Sequence, residues 1–433
     1  MDIKRSQLAR LFYGLPGAVS AYHFIWAWTG SAAYRNPSRR IFTIGVTGTK
    51  GKTTALELIN AILEAAGKRT ALLSSLRVKT GEGSERNHTG NSMPGRAYIQ
   101  HFLGRAVRAN CEYALIEVTS QGVAAHRHRF IKWDMGVLTN LHPEHIEAHG
   151  SYENYRAAKL SFLRYVLSGG GEVFLNRDDR ESGFFFDALS SVPLRYSKDD
   201  EFVKGCMPRI EAARHAEGEK APQGFLLSDF NKEHIAVAAA IGRRLGVDDA
   251  TIERAILNFG GVPGRMEFVR EGGYTGVVDY AHTPDSLEAA YRAVKPKPTP
   301  EHPHPRLIAL LGAAGGGRDR WKRSAMGAAA ARWCDEIILT DEDPYDEDPG
   351  EILDEIEKGI REIDPAKAMR VRRVLDRAEA VRAGFSMARA GDVVIGTGKG
   401  SEEWIHVRGG GKVPWSERDM FERAIKEKAA HDR

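Results

Sequence analysis

The chain has 433 residues, 62 of them Lys or Arg and 58 Asp or Glu, for a net charge of +4, with 42% hydrophobic and 28% charged residues. This is an ordinary soluble composition with core material for two or three domains, and its charge is too balanced for nucleic acid to be a main partner. Cys111, Cys206 and Cys334 are scattered, with no CxxC, so neither a disulfide framework nor a zinc ribbon is expected, as in a reducing, cytoplasmic setting.

Residues 11–34, LFYGLPGAVSAYHFIWAWTGSAAY, carry no charge between Arg10 and Arg35. The segment is long enough to span a bilayer, but Gly14, Pro16, Gly17 and His23 dilute it. It is expected to be a helix packed on the protein, able to touch a membrane surface, rather than a span. A cleaved signal peptide is not expected.

From residue 41 short apolar runs (41–46, 113–118, 135–138, 172–175) alternate with helical stretches (54–66, 97–110, 152–167). That alternation predicts an α/β domain with a mostly parallel sheet. Another helix is expected over 231–246, ended by Gly246. Glycine and proline cluster over 258–268, where a boundary is placed. A second alternation then predicts strands at 276–280, 307–311, 336–340 and 392–396, with a proline-rich surface loop at 295–305. The expected organisation is an apolar N-terminal segment (1–40), a central phosphate-loop α/β domain (41–260) and a smaller Rossmann-like α/β domain (261–433).

The junction FTIGVTGTKGKTTALELI, residues 42–59, carries the first chemistry. A strand feeds a turn in which Gly48 and Gly51 let backbone N–H groups converge on an anion, with Thr49, Lys50 and Thr54 beside them. Lys52 reaches terminal phosphates, the Thr53 hydroxyl can hold Mg²⁺, and the helix that follows points its N-terminus at the same charge. Val46 stands where the strict P-loop pattern has glycine, so the loop is a shortened variant. Further on, EVTSQG puts Glu117 at a strand end, where open parallel sheets bind ligands. TNLHPEHIEAHG places His142, His145 and His149 after another strand, and YRAAKLSF places Lys159 on a helix. Oxygen and imidazole groups near phosphate suit Mg²⁺, although singly each reads as well as a cap, a structural histidine or a solvated lysine.

Together, GVTGTKGKTT, EVTSQG, TNLHPEHIEAHG, YRAAK, PGRMEFV, VDYAHTPDSL, GGGRDRWKR, TDEDP and GKGSEE, in this order from Ile44 to Glu403, resemble the Mur ligase family, the ATP-dependent amide-forming enzymes of cell-wall peptide assembly. VDYAHTPDSL points to the MurE type, which adds the third residue of the muramoyl peptide. The resemblance implies ATP and Mg²⁺. It implies metal ligation by Thr53, Glu117, His145 and a Lys159 carbamylated by CO₂, and it places Lys52 with Glu117, His145 and Lys159 among the catalytic groups. It implies ATP contacts from Asn231, Arg265, Asp279 and His282. Substrate-side residues that look retained are Asn91, Ser92, Ser120 and Arg127, with Gln121 where MurE enzymes usually carry histidine. Glu402 matches a glutamate that greets the incoming amino group. The implied reaction passes through an acyl phosphate, with a muramoyl peptide and a free amino acid as partners and a monomer as the expected state.

Departures accompany the resemblance. Only about forty residues precede the phosphate loop, so the usual UDP-gripping domain is expected to be absent and a lipid-linked or membrane-near substrate becomes a hypothesis. Asp343 and Tyr345 stand where the MurE motif D-N-P-R has Asn and Arg, which favours a cationic added residue such as lysine over diaminopimelate. Lys50 replaces an asparagine, and Glu144 and Glu147 replace aspartates. The alternatives are a folylpolyglutamate or polyglutamate-type ligase of the same superfamily, an amidating Mur-like subunit, or an inactive Mur-like binding protein.

Overall fold

The computed structural model describes residues 18–144, 146–216, 226–317 and 320–432. His145, Arg318, Asp319 and residues 11–17 of the apolar segment, all singled out above, lie outside them. The chain forms two compact units, one holding the described residues up to Arg209 with Asp229–Phe259, the other those of Ile210–Ser228 and Gly260–Arg433.

The first unit is built on eight strands: β1 (Phe42–Thr47), β2 (Thr70–Leu73), β3 (Arg77–Thr80), β4 (Gly83–Arg86), β5 (Tyr113–Glu117), β6 (Met135–Leu138), β7 (Glu172–Asn176) and β8 (Leu194–Tyr196). They lie in the order β4-β3-β2-β5-β1-β6-β7-β8. Six run parallel, and β3 and β4 turn back as an antiparallel hairpin at one edge. The apolar runs become buried strands because crossover helices cover both faces of a parallel sheet. α1 (Ala18–Ala33) packs on α3 (Arg96–Arg108), and Gly30 lets it approach the backbone of Ala97. α2 (Lys52–Ala65) follows β1, and α4 (Tyr152–Ser168), N-capped by the Ser151 hydroxyl, precedes β7. α5 (Asp229–Arg244) packs on α2. Trp133, Phe162, Phe102 and Ile116 fill the core on one side of the sheet. Among the described residues no helix is long and apolar enough to cross a membrane.

The second unit carries β9 (Glu267–Glu271), β10 (Tyr274–Val278), β11 (Leu307–Leu311), β12 (Glu336–Leu339), β13 (Arg372–Arg373) and β14 (Val393–Gly396), in the order β13-β12-β11-β14-β10-β9. All are parallel except β9, which pairs antiparallel with β10 at the edge. The mixed α/β class read from the sequence holds for both units. Strand β10 stops at Val278, short of the expected Tyr280, because the Asp279 side chain closes a turn by accepting from the amides of Met266 (2.8 Å) and Ala281 (2.7 Å).

Candidate active site

In the first sheet β1 lies between β5 and β6, with Val46 opposite Glu117 and Thr47 opposite Leu138. The carboxyl ends of three adjacent parallel strands therefore deliver the phosphate loop, Glu117 and Thr139–Asn140 to one edge, the usual ligand position in such sheets. Gly48 (φ +149°) and Gly51 (φ +77°) have left-handed backbones. A Cβ on Gly48 would lie 1.9 Å from Thr139 Oγ1, and one on Gly51 1.8 Å from His234 Nε2. Only glycine fits either position.

The loop is clamped from β6. Asn140 accepts from the Lys50 amide through its side chain (2.9 Å) and from the Thr49 amide through its carbonyl (2.9 Å). Thr139 donates to Lys50 O at 2.7 Å, and the Tyr155 hydroxyl on α4 bonds Thr49 Oγ1 at 2.9 Å. Helix α2 opens at Lys52 directly beyond the loop, with Thr53 and Thr54 buried in its first turn. The Lys52 ammonium donates to Gly48 O (3.0 Å) and Thr49 O (2.9 Å), two neutral carbonyls, and so curls over the concavity that a phosphate would enter.

Beside it, the Thr53 hydroxyl lies 3.3 Å from Glu117 Oε2 and 3.0 Å from Ser75 Oγ, and the Ser75 amide donates to the same carboxylate oxygen at 2.7 Å. Lys159, fully buried on α4, donates to Gly48 O at 2.7 Å and sits over the Tyr155 ring. Burial first, then the charge of Lys52, push its pKa well below the usual lysine value, against an opposing effect of Glu144. Lys52, Thr53, Glu117 and Lys159 thus gather around one loop. On its far side Asn231 Oδ1 accepts from His234 Nδ1 at 2.9 Å, and burial pushes the pKa of His234 down to about 4. Near Glu117, the Ser120 hydroxyl pairs with His149 Nε2 at 3.0 Å, Arg127 donates to Met93 O, Gln121 is exposed, and Asn91 and Ser92 lie in the loop before α3.

Ser75, Asn140, Tyr155 and His234 have no assigned part in the sequence reading. Tyr155 stands inside YRAAKLSF and His234 inside the helical stretch after Asn231, but their loop contacts span 106 and 183 residues. Among the described residues no group of three or more His, Cys, Asp or Glu is poised to hold a metal. Thr53 and Glu117 still offer adjoining buried oxygens, a donor set that suits Mg²⁺, which is commonly held by one or two protein oxygens together with substrate phosphates.

The second unit holds the remaining candidates. The Arg265 guanidinium lies over the Tyr280 ring at 4.1 Å and donates to Gly264 O. His282 bonds Tyr280 O through Nδ1 at 2.8 Å. Asp279 is buried, and burial raises its pKa. Lys399, fully buried, pairs with Asp343 (2.9 Å) and Glu402 (2.7 Å), and Asp343 also accepts from the His406 amide. Tyr345 stacks on His406 with ring centroids 5.0 Å apart. Beside this cluster one oxygen of the buried Glu342 carboxylate has no partner among the described residues, and burial raises its pKa.

Comparison with known proteins adds names to this geometry. Residues 46–239 match the family model of the Mur ligase middle domain, and residues 264–400 that of the Mur ligase glutamate ligase domain. A UDP-N-acetylmuramyl-tripeptide synthetase of Roseiflexus is 34% identical over 92% of this chain and 81% of its own length. A UDP-N-acetylmuramoyl-L-alanyl-D-glutamate–2,6-diaminopimelate ligase of Thermosynechococcus vestitus is 36% identical over 92% of this chain and 79% of its own. Among solved structures, one of a ligase of that second kind superposes with a TM-score of 0.56 at 25% identity, over 90% of this chain and 79% of the other.

Proposed function

The chain belongs to the Mur ligase family of ATP-dependent amide ligases, and from that premise we propose that it joins an amino acid, as third residue, to a peptide carboxylate of a muramoyl-peptide cell-wall precursor. The observation that carries this reading is the convergence of Lys52, Thr53, Glu117 and Lys159 on the Gly48–Gly51 loop. The domain reading that goes with it is a segment over 1–40, a central ATP domain over 41–260 and a second α/β domain over 261–433, acting as a monomer.

The chemistry balances in two steps. The acceptor carboxylate attacks the γ-phosphorus, the bond to the β–γ bridging oxygen breaks, and ADP leaves an acyl phosphate. The amino group then attacks the acyl carbon, inorganic phosphate departs and the nitrogen loses a proton. Loop amides and the α2 N-terminus hold the phosphates. Lys52 exchanges its two carbonyl partners for phosphate oxygens and stabilises charge during the transfer. Thr53 and Glu117 would hold Mg²⁺, which supplies charge neutralisation at the phosphates when bound. Asn231, with His234 behind it, lines the adenine side.

Lys159 is the proposed carbamylation site, with His145 as a further ligand. The depressed pKa supports this, because only the free amine reacts with CO₂, forming an N–C bond and releasing a proton. The carbamate turns a group that would repel a cation into an anionic oxygen ligand. Arg265, Asp279 and His282 are proposed as the second unit's nucleotide contacts. Asn91, Ser92, Ser120, Gln121 and Arg127 are proposed to hold the muramoyl peptide.

Asp343, Tyr345 and Glu402 are proposed to select the added residue. The two carboxylates exceed the single Lys399 cation between them, and Tyr345 supplies no positive charge. A lysine-like side chain is therefore favoured over one ending in carboxylate. Mass spectrometry of products from a UDP-linked muramoyl dipeptide and a panel of amino acids tests the assignment. A lysine or ornithine adduct is expected, with Tyr345→Arg shifting use toward diaminopimelate by roughly tenfold, the scale of one charge-assisted bidentate pair. No adduct with any amino acid would refute the ligase reading, and a wild-type preference for diaminopimelate would refute the specificity.

A further inference from the structure

A cleft of about 490 Å³ lies in the first unit between the turn after β5 and the outer side of α4. It is distinct from the phosphate loop: on a helix of 100° per residue, Ser161 and Ser168 stand about 160–180° round from Lys159. Arg129, Arg164, His126, His128, Ser161 and Ser168 line it, and among the described residues no carboxylate does.

Among the described residues neither of its two guanidiniums meets a carboxylate, and Arg164 donates only to Ala188 O. Arg129 lies over the rings of Phe24 and Tyr165, each 5.8 Å away, and its Nε is buried with no partner among the described residues. Buried His128, 3% exposed, likewise has an unpartnered Nδ1, and so does His126, whose Nε2 meets the Ser20 hydroxyl. Both Ser161 and Ser168 donate to carbonyls of their own helix, which leaves their oxygens on the cleft side free to exchange. Two cations with low-dielectric walls and no acid attract an anion, and guanidinium forks match phosphate oxygens.

We propose that this cleft binds a phosphate or diphosphate ester, held by Arg129 and Arg164. Two sources carry that chemistry: a soluble nucleotide-linked molecule and a lipid headgroup. The second arises because α1, whose Phe24 packs on Phe130 and under Arg129, turns Ile25, Trp26 and Trp28 to solvent without one charged residue. The site stands apart from the ligase assignment and does not depend on it.

The test uses the full chain with its phosphate loop saturated by Mg²⁺ and a non-hydrolysable ATP analogue. Calorimetry with inorganic pyrophosphate and with UDP is one arm. Co-sedimentation with phosphatidylcholine vesicles, with and without phosphatidylglycerol, is the other. Binding in at least one arm is expected, weakened roughly tenfold or more in the double variant R129Q/R164Q, as loss of charge-assisted hydrogen bonds implies. Ser161→Glu, at an exposed position that leaves the core intact, should weaken it equally by placing a carboxylate in the cleft. Calorimetric binding identifies a soluble ester, and phosphatidylglycerol-dependent sedimentation alone identifies a lipid phosphate. Absence of binding in both arms, or its retention by either variant, overturns the proposal.

Discussion

Replacing Lys159 with methionine isolates the titration of one buried amine. In the folded chain burial and the Lys52 charge hold its pKa far below the ordinary value. Unfolded, it returns to about 10.4. Between the depressed folded value and about 10.4, the unfolded chain carries one more proton than the folded chain. Stability therefore rises with pH in that window by about 1.4 kcal/mol per unit from this group alone. Below the folded value both states are protonated and the contribution is flat. Lys159→Met removes the group but keeps an unbranched apolar stem, so the wild-type profile should climb more steeply than the variant's by about 1.4 kcal/mol per unit. Amide exchange of β1, β5 and β6, followed by mass spectrometry in CO₂-free buffer without nucleotide, reads the difference. Parallel profiles would mean that Lys159 stays protonated when buried, and the carbamylation proposal would lose its chemical basis.

The remaining expectations concern three other sites. Gly51→Ala forces alanine into a left-handed backbone and drives its Cβ onto His234. A stability loss of roughly 2–4 kcal/mol is expected from strain and overpacking together, along with loss of ATP binding in calorimetry. Adding His234→Ala should recover only the packing part. Arg377→Met strips the partner from Glu417, both side chains being fully buried in a two-bond pair at 2.8 Å. It should cost about 3–5 kcal/mol in the second unit by amide exchange, much of it restored by Glu417→Leu. Burial raises the pKa of Glu233 to about 7, although Asn176 donates to it. Because the folded value exceeds the unfolded one, stability should fall as pH rises from about 4.3 to 7, by at most about 4 kcal/mol, and Glu233→Gln should flatten that segment of an exchange-measured profile.

What the sequence reveals follows the range of the interactions. The strand, loop and helix from Phe42 to Ala65 are legible because apolar period, glycine spacing and helix start are all local. Strands β6 and β11 match their expected bounds because each is a continuous apolar run that starts after a charged residue, Asp134 or Arg306, and stops at Thr139 or at the glycine-rich turn from Gly312. The hairpin of β3 and β4 was not legible. Its residues, RVKT and GSER, read as polar, and Lys79 is buried only because Glu64 and Thr70 meet it from α2 and β2. Strand β9 hid for a similar reason, being an edge strand with charge at both ends. The contacts of His234 with Gly51 and of Ser75 with Glu117 join segments far apart in the chain, which no local pattern encodes. In the second unit, TDEDP reads as bare acid, yet Lys399, 56 residues on, already pairs with Asp343.

The most direct test of the ligase account is ADP release measured with the acceptor peptide alone, the amino acid alone, both, and neither. The account predicts turnover with both, little with either alone, and loss by a hundredfold or more in Lys52→Ala, the scale of one preorganised transition-state contact. ADP release that proceeds equally without the acceptor, or that survives Lys52→Ala, would contradict it.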